Sequence, residues 1–230
     1  MSDLYFQQLA VGDMQNFAYL IGSQATRECL IVDPAWAVNA LVERAEADGM
    51  RVTGALVTHY HQDHVGGRIF GMEIEGLARL MARAPVPVHV NAHEADGVRK
   101  VTALSESDLV RHAGGDALTL GAITVRLLHT PGHTPGSQCF FVEEAGHAGK
   151  LVSGDTLFLG SCGRVDLPGS DPAQMYDSLH NQLKRLPDET ILYPGHHYSA
   201  APYGEMGEQK RRNPYLRAAS LDDFLMFMGA

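Results

Sequence analysis

The sequence predicts a layered α/β fold of the αββα sandwich type. Short apolar runs typical of strands alternate with stretches whose apolar residues have helical spacing, and this succession occurs twice along the 230 residues. Histidines and aspartates follow several of the apolar runs, where α/β sheets commonly gather ligands. No internal repeat, low-complexity tract or linker interrupts the pattern, so we expect a single domain over residues 1–230.

In the first half of the chain, residues 38–48 have a helical spacing of apolar residues that stops at Gly49. Residues 69–84 are a second helix candidate, which the prolines that follow would close. Residues 68–84 are also a candidate lid or insertion. The polar stretch 105–115 contains a Gly-Gly pair and is predicted to be a loop. The other elements predicted here are strands at residues 4–10, 17–21, 28–33, 52–57 and 86–90 and a short helix at residues 93–101.

In the second half, residues 175–186 form an amphipathic pattern, with Met175, Leu179, Leu183 and Leu186 on one helical face. Residues 199–230 are predicted to be a short C-terminal tail, mostly helical or irregular. The predicted strands lie at residues 117–120, 123–128, 138–142, 151–153 and 190–193.

Composition excludes several classes of protein. The chain is 45% hydrophobic and 20% charged, with a net charge of −9, so we expect neither nucleic acid nor an anionic membrane as a partner. Three cysteines are too few for a disulfide framework and favour a reducing compartment. The N-terminus lacks the pattern of a signal peptide, and no apolar run reaches the roughly 20 residues of a membrane span. We therefore expect a cytoplasmic protein.

Four candidate metal ligands fall within six residues, namely His59, His61, Asp63 and His64. They follow the strand predicted at residues 52–57. His59 and His61 can lie on the same side of an extended chain, whereas Asp63 and His64 must point elsewhere once the chain turns. One loop can therefore offer ligands to two metal ions.

Three further candidates, His133, Asp155 and His196, also follow apolar runs and lie in turns rich in Gly and Pro. The seven residues suit a dinuclear site. One metal would take His59, His61 and His133, the other would take Asp63, His64 and His196, and Asp155 would bridge the two. Imidazole and carboxylate ligands without thiolate suit Zn²⁺, Fe or Mn²⁺. The alternative, that these are polar surface or helix-capping residues, must explain seven such placements at once.

Asp33 follows the strand predicted at residues 28–33 and has two interpretations. It could hold a ligand histidine in position, as metal-ligating imidazoles commonly require. It could equally form a turn with Pro34.

The motif His59-x-His61-x-Asp63-His64, followed in order by His133, Asp155 and His196, resembles the metallo-β-lactamase fold superfamily. The resemblance spans about residues 4–198. It implies an αββα sandwich with the metals at one edge of the two sheets.

Two branches of that superfamily fit the chain, and the first is glyoxalase II, or hydroxyacylglutathione hydrolase. Gly-Asp-Thr-Leu-Phe at residues 154–158 and Ser-Cys-Gly-Arg at residues 161–164 are similar to its pattern. The resemblance implies that Arg164 and Tyr198 contact glutathione. Asn-Pro-Tyr-Leu-Arg at residues 213–217 resembles another family segment and makes Arg217 a second carboxylate partner, because the Arg fork binds carboxylates bidentately. A solvated surface charge is the alternative for both arginines.

Two features depart from glyoxalase II. Asp166 is an anion where that family has an aromatic residue, and the tail is too short for its helical glutathione-binding domain. The Cys-Gly-Arg-x-Asp turn at residues 162–166 is shared with the second branch, persulfide dioxygenase. That branch uses a single iron, which here would bind His59, His133 and Asp155.

The sequence thus favours a metal-dependent hydrolase that cleaves a thioester such as a hydroxyacylglutathione by a metal-bound hydroxide. Asp63 and Asp155 would hold and orient this nucleophile as the catalytic carboxylates. A mononuclear iron persulfide dioxygenase, a lactonase and an inactive binding module remain alternatives. The expected partner is a small molecule, and a homodimer is an open question.

Overall fold

A computed structural model of the chain describes residues 2–229. Within them the strands, numbered in chain order, are β1 (Leu4–Val11), β2 (Asn16–Ser23), β3 (Glu28–Val32), β4 (Arg51–Leu56), β5 (Gly67–Ile69), β6 (Met72–Ile74), β7 (Val88–Asn91), β8 (Leu109–His112), β9 (Ala117–Leu120), β10 (Ile123–His129), β11 (Gln138–Glu143), β12 (Lys150–Val152), β13 (Leu157–Phe158), β14 (Ser161–Cys162), β15 (Ile191–Tyr193) and β16 (Gly204–Glu205). The α-helices are α1 (Val38–Ala47), α2 (Gln62–Val65), α3 (Leu77–Arg83), α4 (Ala95–Thr102), α5 (Pro172–Asp177), α6 (Met206–Arg212), α7 (Pro214–Arg217) and α8 (Leu221–Met228).

The strands form two large sheets and two small hairpins. The first sheet has the order β1-β2-β3-β4-β7-β8, antiparallel up to β3 and parallel from β3 to β8. The second sheet has the order β16-β15-β12-β11-β10-β9 and is antiparallel except between β12 and β15. The hairpins pair β5 with β6 and β13 with β14.

Three hydrophobic clusters separate four layers, which confirms the predicted αββα sandwich. In β2, Leu20 belongs to the cluster shared with helices α1, α3 and α4, whereas Ile21 belongs to the cluster between the sheets. In β11, Phe140 faces the other sheet and Phe141 belongs to the cluster that includes α5 and α8. Successive side chains point to opposite faces of a strand, so both faces of these sheets are buried.

The predicted helix at residues 69–84 is wrong in its first half. Ile69 pairs with Met72 in a two-residue hairpin, and a helix begins only at Leu77. Phe70 and Gly71 both have positive φ, at 49° and 83°, as a turn that follows the twist of a hairpin requires. A short apolar stretch with one glycine is compatible with both helical and strand spacing of apolar residues. Here the turn at Phe70 and Gly71 makes it a hairpin.

Two other predicted elements are also corrected. The loop predicted at residues 105–115 contains β8, which adds in parallel to β7. The helix predicted at residues 175–186 begins earlier, at Pro172, because Asp171 accepts hydrogen bonds from two backbone N–H groups of its first turn. It is also discontinuous, since α5 gives way to a wider turn and then to a tighter one.

The other predicted strands and helices are present with shifts of a few residues, and the tail is helical at α6, α7 and α8. Within residues 2–229, no helix combines the length and the apolar character that crossing a bilayer requires.

Candidate metal centre

The structure brings all seven predicted ligands together at one edge of the sandwich. Strands position five of them. His59 and His61 follow β4, His133 follows β10, Asp155 follows β12, and His196 follows β15. Asp63 and His64 lie on the single helical turn α2, which redirects the chain after His61. This change from extended chain to helix gives one loop two directions for its ligands.

The first triad consists of His59, His61 and His133. Nδ1 of His61 lies 3.1 Å from Nε2 of His59 and 3.1 Å from Nε2 of His133. His59 and His133 are buried, and His61 is partly exposed. One imidazole nitrogen from each residue therefore points at a common centre.

The second triad consists of Asp63, His64 and His196, all of them buried. Nε2 of His64 lies 3.2 Å from Nε2 of His196, and Oδ2 of Asp63 lies 3.3 Å from each of these nitrogens. This triad differs from the first in containing a carboxylate.

Asp155 lies between the triads. Its Oδ1 is 3.4 Å from Nε2 of His64, and its Oδ2 is 3.4 Å from Nε2 of His196 and 3.7 Å from Nε2 of His133. The carboxylate thus contacts ligands of both triads, as the predicted bridging position requires.

Hydrogen bonds on the outer nitrogens fix the tautomers of two imidazoles of the first triad, those of His59 and His133. Thr58 gives its hydroxyl proton to Asp33, so its Oγ1 accepts from Nδ1 of His59 at 2.9 Å. Nδ1 of His133 donates to the backbone oxygen of Arg164 at 2.8 Å. In both imidazoles the inward Nε2 therefore carries a lone pair.

The second triad is fixed in the same way. Nδ1 of His64 donates to Oδ2 of Asp33 at 2.9 Å, and Nδ1 of His196 donates to the backbone oxygen of Met14 at 2.9 Å. Asp33 also accepts from the backbone N–H and hydroxyl of Thr58. The structure shows both interpretations of Asp33, because its side chain accepts from the candidate ligand His64 and its backbone oxygen accepts from the N–H of Ala35 in a turn around Pro34.

These contacts fit two divalent cations. The inward nitrogens of His59 and His61 face one another at 3.1 Å, and two imidazole lone pairs at that distance repel unless a proton or a metal cation lies between them. Donors about 2.0–2.1 Å from a tetrahedral ion are roughly 3.3 Å apart, which matches the observed spacing. Oδ1 of Asp155 is buried without a hydrogen-bond partner, as a carboxylate oxygen reserved for a metal would be. The donor set is therefore metal-binding, and it contains no thiolate.

Electrostatics differ between the triads, and crowded imidazoles dominate the first. Burial lowers the pKa of His61 to about 4, and the imidazoles of His133 and His64 contribute to this shift. Burial, followed by the His64 imidazole, also holds the pKa of His59 well below its ordinary value. Both residues are therefore neutral near pH 7, the form that binds metals.

Carboxylates dominate the second triad. Burial, the largest single influence, opposes a charge on His196, but the carboxylates of Asp155 and Asp63 together outweigh it and raise the pKa of His196 to about 9. Burial likewise opposes the ionisation of Asp63 and Asp155. Neighbouring imidazoles outweigh burial there and hold both carboxyl pKa values below their usual range. The ionised carboxylates attract positive charge to this side of the site.

Glycines let the ligand loops pass close to one another. A Cβ on Gly195 would lie 2.5 Å from Oδ1 of Asp155, and Gly154 has φ +50° with its backbone against Thr58. A side chain at either position would displace a ligand loop, which explains the glycine beside His196 and the one beside Asp155.

Sequence reasoning missed two buried residues that support the site. Nδ2 of Asn16 donates to Oδ2 of Asp63 at 3.0 Å. Glu94 accepts hydrogen bonds, all at 2.7 Å, from the backbone of Tyr60 and from the loop that follows His133. Both residues are far along the chain from the ligands they support, so no local pattern marks them.

Of the three predicted substrate-binding residues, two lie at the cavity beside the candidate ligands and one does not. Arg164 and Tyr198 line a cavity of about 340 Å³ above the ligands. The Tyr198 ring stacks on His196 with centroids 4.6 Å apart. Arg217 is exposed on α7 and is not among the residues that line this cavity.

The fold and the site together place two adjacent groups of candidate metal ligands at the edge of an αββα sandwich. The chain belongs to the metallo-beta-lactamase superfamily, whose family model matches residues 11–196. The predicted family resemblance is therefore confirmed.

Relatives come from both predicted branches. A hydroxyacylglutathione hydrolase of Synechococcus sp. is 37% identical over 188 residues, which cover 80% of this chain and 65% of that protein. The human mitochondrial persulfide dioxygenase ETHE1 is 28% identical and covers 93% of this chain and 76% of its own. The crystal structure of ETHE1 from Myxococcus xanthus matches with a TM-score of 0.82 at 28% identity, over 98% of this chain and 90% of that one.

Proposed function

We propose that the protein is a dinuclear metal-dependent hydrolase that cleaves thioesters of small molecules. The observation that carries this proposal is the second triad, which is complete and lies beside the first. The similarity to a hydroxyacylglutathione hydrolase supports thioester cleavage and makes a hydroxyacylglutathione a candidate substrate. Zinc is the proposed metal, because imidazole and carboxylate donors suit it, although they also suit iron and manganese.

The first triad would hold one ion, the second would hold the other, and Asp155 would contact both. Two such ions, when bound, would polarise the thioester carbonyl and lower the pKa of a water molecule. The remaining chemistry falls to the protein. Asp63 and Asp155 stay ionised, so their carboxylate oxygens can accept a hydrogen bond from the attacking water. Such a hydrogen bond would orient the water toward the carbonyl carbon.

Tyr198 would position the substrate at the mouth of the site. Burial, with Asp155 and Asp63 nearby, raises the pKa of Tyr198 to about 12, so its hydroxyl remains a donor at neutral pH. The leaving thiolate needs little protonation, because a thiol has a pKa of only about 8.5. The chain therefore has no need of a strong general acid beside the sulfur.

A persulfide dioxygenase is the second candidate, and the similarity to ETHE1 is the observation that favours it. The single iron of that reaction would bind His59, His133 and Asp155. In this chain it is His61 Nδ1 that lies 3.1 Å from the nitrogens of His59 and His133, whereas Asp155 Oδ2 lies 3.7 Å from His133 Nε2. The additional imidazole of His61 and the complete second triad support the hydrolase.

Asp63→Ala separates the two candidates, because only the dinuclear reaction needs Asp63. We expect the purified wild type to contain two metals per chain and to cleave thioesters, and Asp63→Ala to lose one metal and at least about 100-fold in turnover. Asp222→Ala, which removes an exposed carboxylate on α8, is the control. One iron per chain, with oxygen uptake on glutathione persulfide that survives Asp63→Ala, would contradict the proposal.

A further inference from the structure

Trp36, the single tryptophan of the chain, contacts the loop of the second triad directly. Its indole Nε1 donates to the backbone oxygen of Asp63 at 3.0 Å. Asp63 belongs to α2, the helical turn that carries two ligands of the second triad. An indole has one donor, so this hydrogen bond commits the polar edge of Trp36 to the second triad and not to the first.

The Trp36 ring also packs against the β1–β2 turn, which consists of residues 12–15. A Cβ on Gly12 would lie 2.1 Å from Cδ2 and 2.3 Å from Cγ of the indole, so the ring lies directly on the backbone of the turn. Gly12 also has a φ of +66°, at which a side chain would be strained. The ring fits here because the position is a glycine, and it joins the β1–β2 turn to α2.

The β1–β2 turn and the residue that follows it support the second triad. The backbone oxygen of Met14 accepts from Nδ1 of His196 at 2.9 Å. Nδ2 of Asn16 donates to Oδ2 of Asp63 at 3.0 Å. Trp36 therefore links the two segments that hold these ligands in place.

Backbone strain marks the segment that carries Trp36. Asp33 and Trp36 have φ values of +50° and +66°, a region that residues other than glycine rarely adopt. The N–H of Trp36 donates to the backbone oxygen of Glu75 at 2.9 Å, which holds this conformation. Both strained residues donate to or accept from the second triad, Asp33 at His64 and Trp36 at Asp63. Such conformations persist where the surrounding structure enforces them, and they cluster at functional sites.

We propose that Trp36 is a positioning residue for the second metal, and that its indole changes environment when this metal binds. An ion at the second triad must draw Asp63 and His196 into one coordination geometry, and the segments that hold these two ligands meet at the Trp36 ring. The inference rests on the two metal positions of the proposed hydrolase and is independent of the thioester. It implies that a residue outside the ligand set controls how tightly the second position holds its metal.

A fluorine label on Trp36 tests this inference without turnover. Because the chain has one tryptophan, 5-fluorotryptophan labels Trp36 alone and gives a single ¹⁹F resonance. Zinc added to the metal-free protein should shift this resonance. The shift should be lost in Asp63→Ala, which disables the second triad, and retained in His61→Ala, which disables the first. A shift that survives Asp63→Ala, or that disappears in His61→Ala, would overturn the inference.

Two variants test whether Trp36 holds the second metal in addition to sensing it. Trp36→Phe removes the indole N–H and keeps an aromatic ring, whereas Gly12→Ala displaces the ring and keeps its N–H. Each should weaken zinc about tenfold at the second position and less than about twofold at the first, as measured by chelator titration with elemental analysis.

Tyr203→Phe is the control for these variants, since it removes a hydroxyl from an exposed ring that does not line the cavity above the ligands. Circular dichroism checks that each variant is folded. Equal weakening of both positions in the folded variants, or weakening of neither, would overturn the inference.

Thioester cleavage is then assayed on the same zinc-loaded protein. Absence of cleavage, with two zincs bound and the ¹⁹F shift intact, would count against the proposed hydrolase and not against the role of Trp36. Cleavage with two zincs bound but no shift would count against the role of Trp36 and leave the hydrolase in place. Failure to bind a second zinc would overturn both.

Discussion

The two triads have similar donor spacing but opposite electrostatics. The first consists of three imidazoles, and burial among them lowers the pKa of His61 to about 4. The second contains Asp63, and there burial is outweighed by the carboxylates of Asp155 and Asp63, which raise the pKa of His196 to about 9. The carboxylates that raise this pKa would also attract a divalent cation. We therefore expect the second triad to bind its metal by charge, and the first to depend more on preorganised lone pairs.

The buried residues that hydrogen-bond to the ligands and their loops also differ between the two triads. Asp33 bonds to His64 directly and reaches His59 only through Thr58. Glu94 joins the Tyr60 backbone to the loop after His133, and both segments belong to the first triad. Each position therefore has its own buried carboxylate behind it, and Asp155 is the group they share.

Asp155→Ala should have the largest effect, because it removes the side chain that contacts both triads. We expect metal content by elemental analysis to fall at both positions and thioester turnover to drop by about 1,000-fold or more. Asp222→Ala serves again as the control. A variant that retained two metals and measurable turnover would show that the triads are independent.

The clustering of the seven candidate ligands was predictable because their pattern is local. Three histidines and an aspartate in one loop fix their own mutual positions within a few residues, and His133, Asp155 and His196 each follow a strand that ends at the same edge. The αββα layering followed from the periodicities for the same reason. Asp33 was open to two interpretations, because only the fold brings it against His64.

Other features depend on contacts between distant segments. Asn16 is 47 residues from Asp63, and Glu94 is 34 residues from Tyr60, so their spacing carries no signal. The β5–β6 hairpin was mistaken for helix because its turn is decided by backbone conformation at Phe70 and Gly71. β8 was missed because pairing with β7, and not apolar alternation, makes it a strand.

Asp33→Asn should have an intermediate effect, mainly at the second position. The amide keeps the shape of the side chain, but it removes the charge that holds Nδ1 of His64 in its donating form. We expect the metal affinity of the second position to fall about 10- to 100-fold while the first changes less. The protein is titrated with a chelator, and elemental analysis gives the metal content per chain at each step. The two positions then appear as successive losses of one metal each. Equal weakening of both would mean that Thr58 transmits the effect fully to His59.

Glu94→Gln should have the smallest effect, and it should weaken metal binding at the first position rather than at the second. The carboxylate of Glu94 is buried, and burial raises its pKa. The hydrogen bonds from Thr134, Gly136 and Tyr60 lower this pKa but do not cancel the effect of burial. Glutamine can still accept some of these hydrogen bonds, so the loops should loosen without unfolding. We expect about a tenfold loss of affinity at the first position alone, read from the visible spectrum of the cobalt-substituted protein and from chelator competition.

Glu94→Asp is the companion variant for that measurement, since it restores the charge on a shorter side chain. If Glu94 acts by geometry, Asp should be no better than Gln, because it cannot reach both loops. If it acts by charge, Asp should recover most of the affinity at the first position. A first triad that depended on charge would then resemble the second, and the contrast between preorganised lone pairs and carboxylate attraction would have to be abandoned.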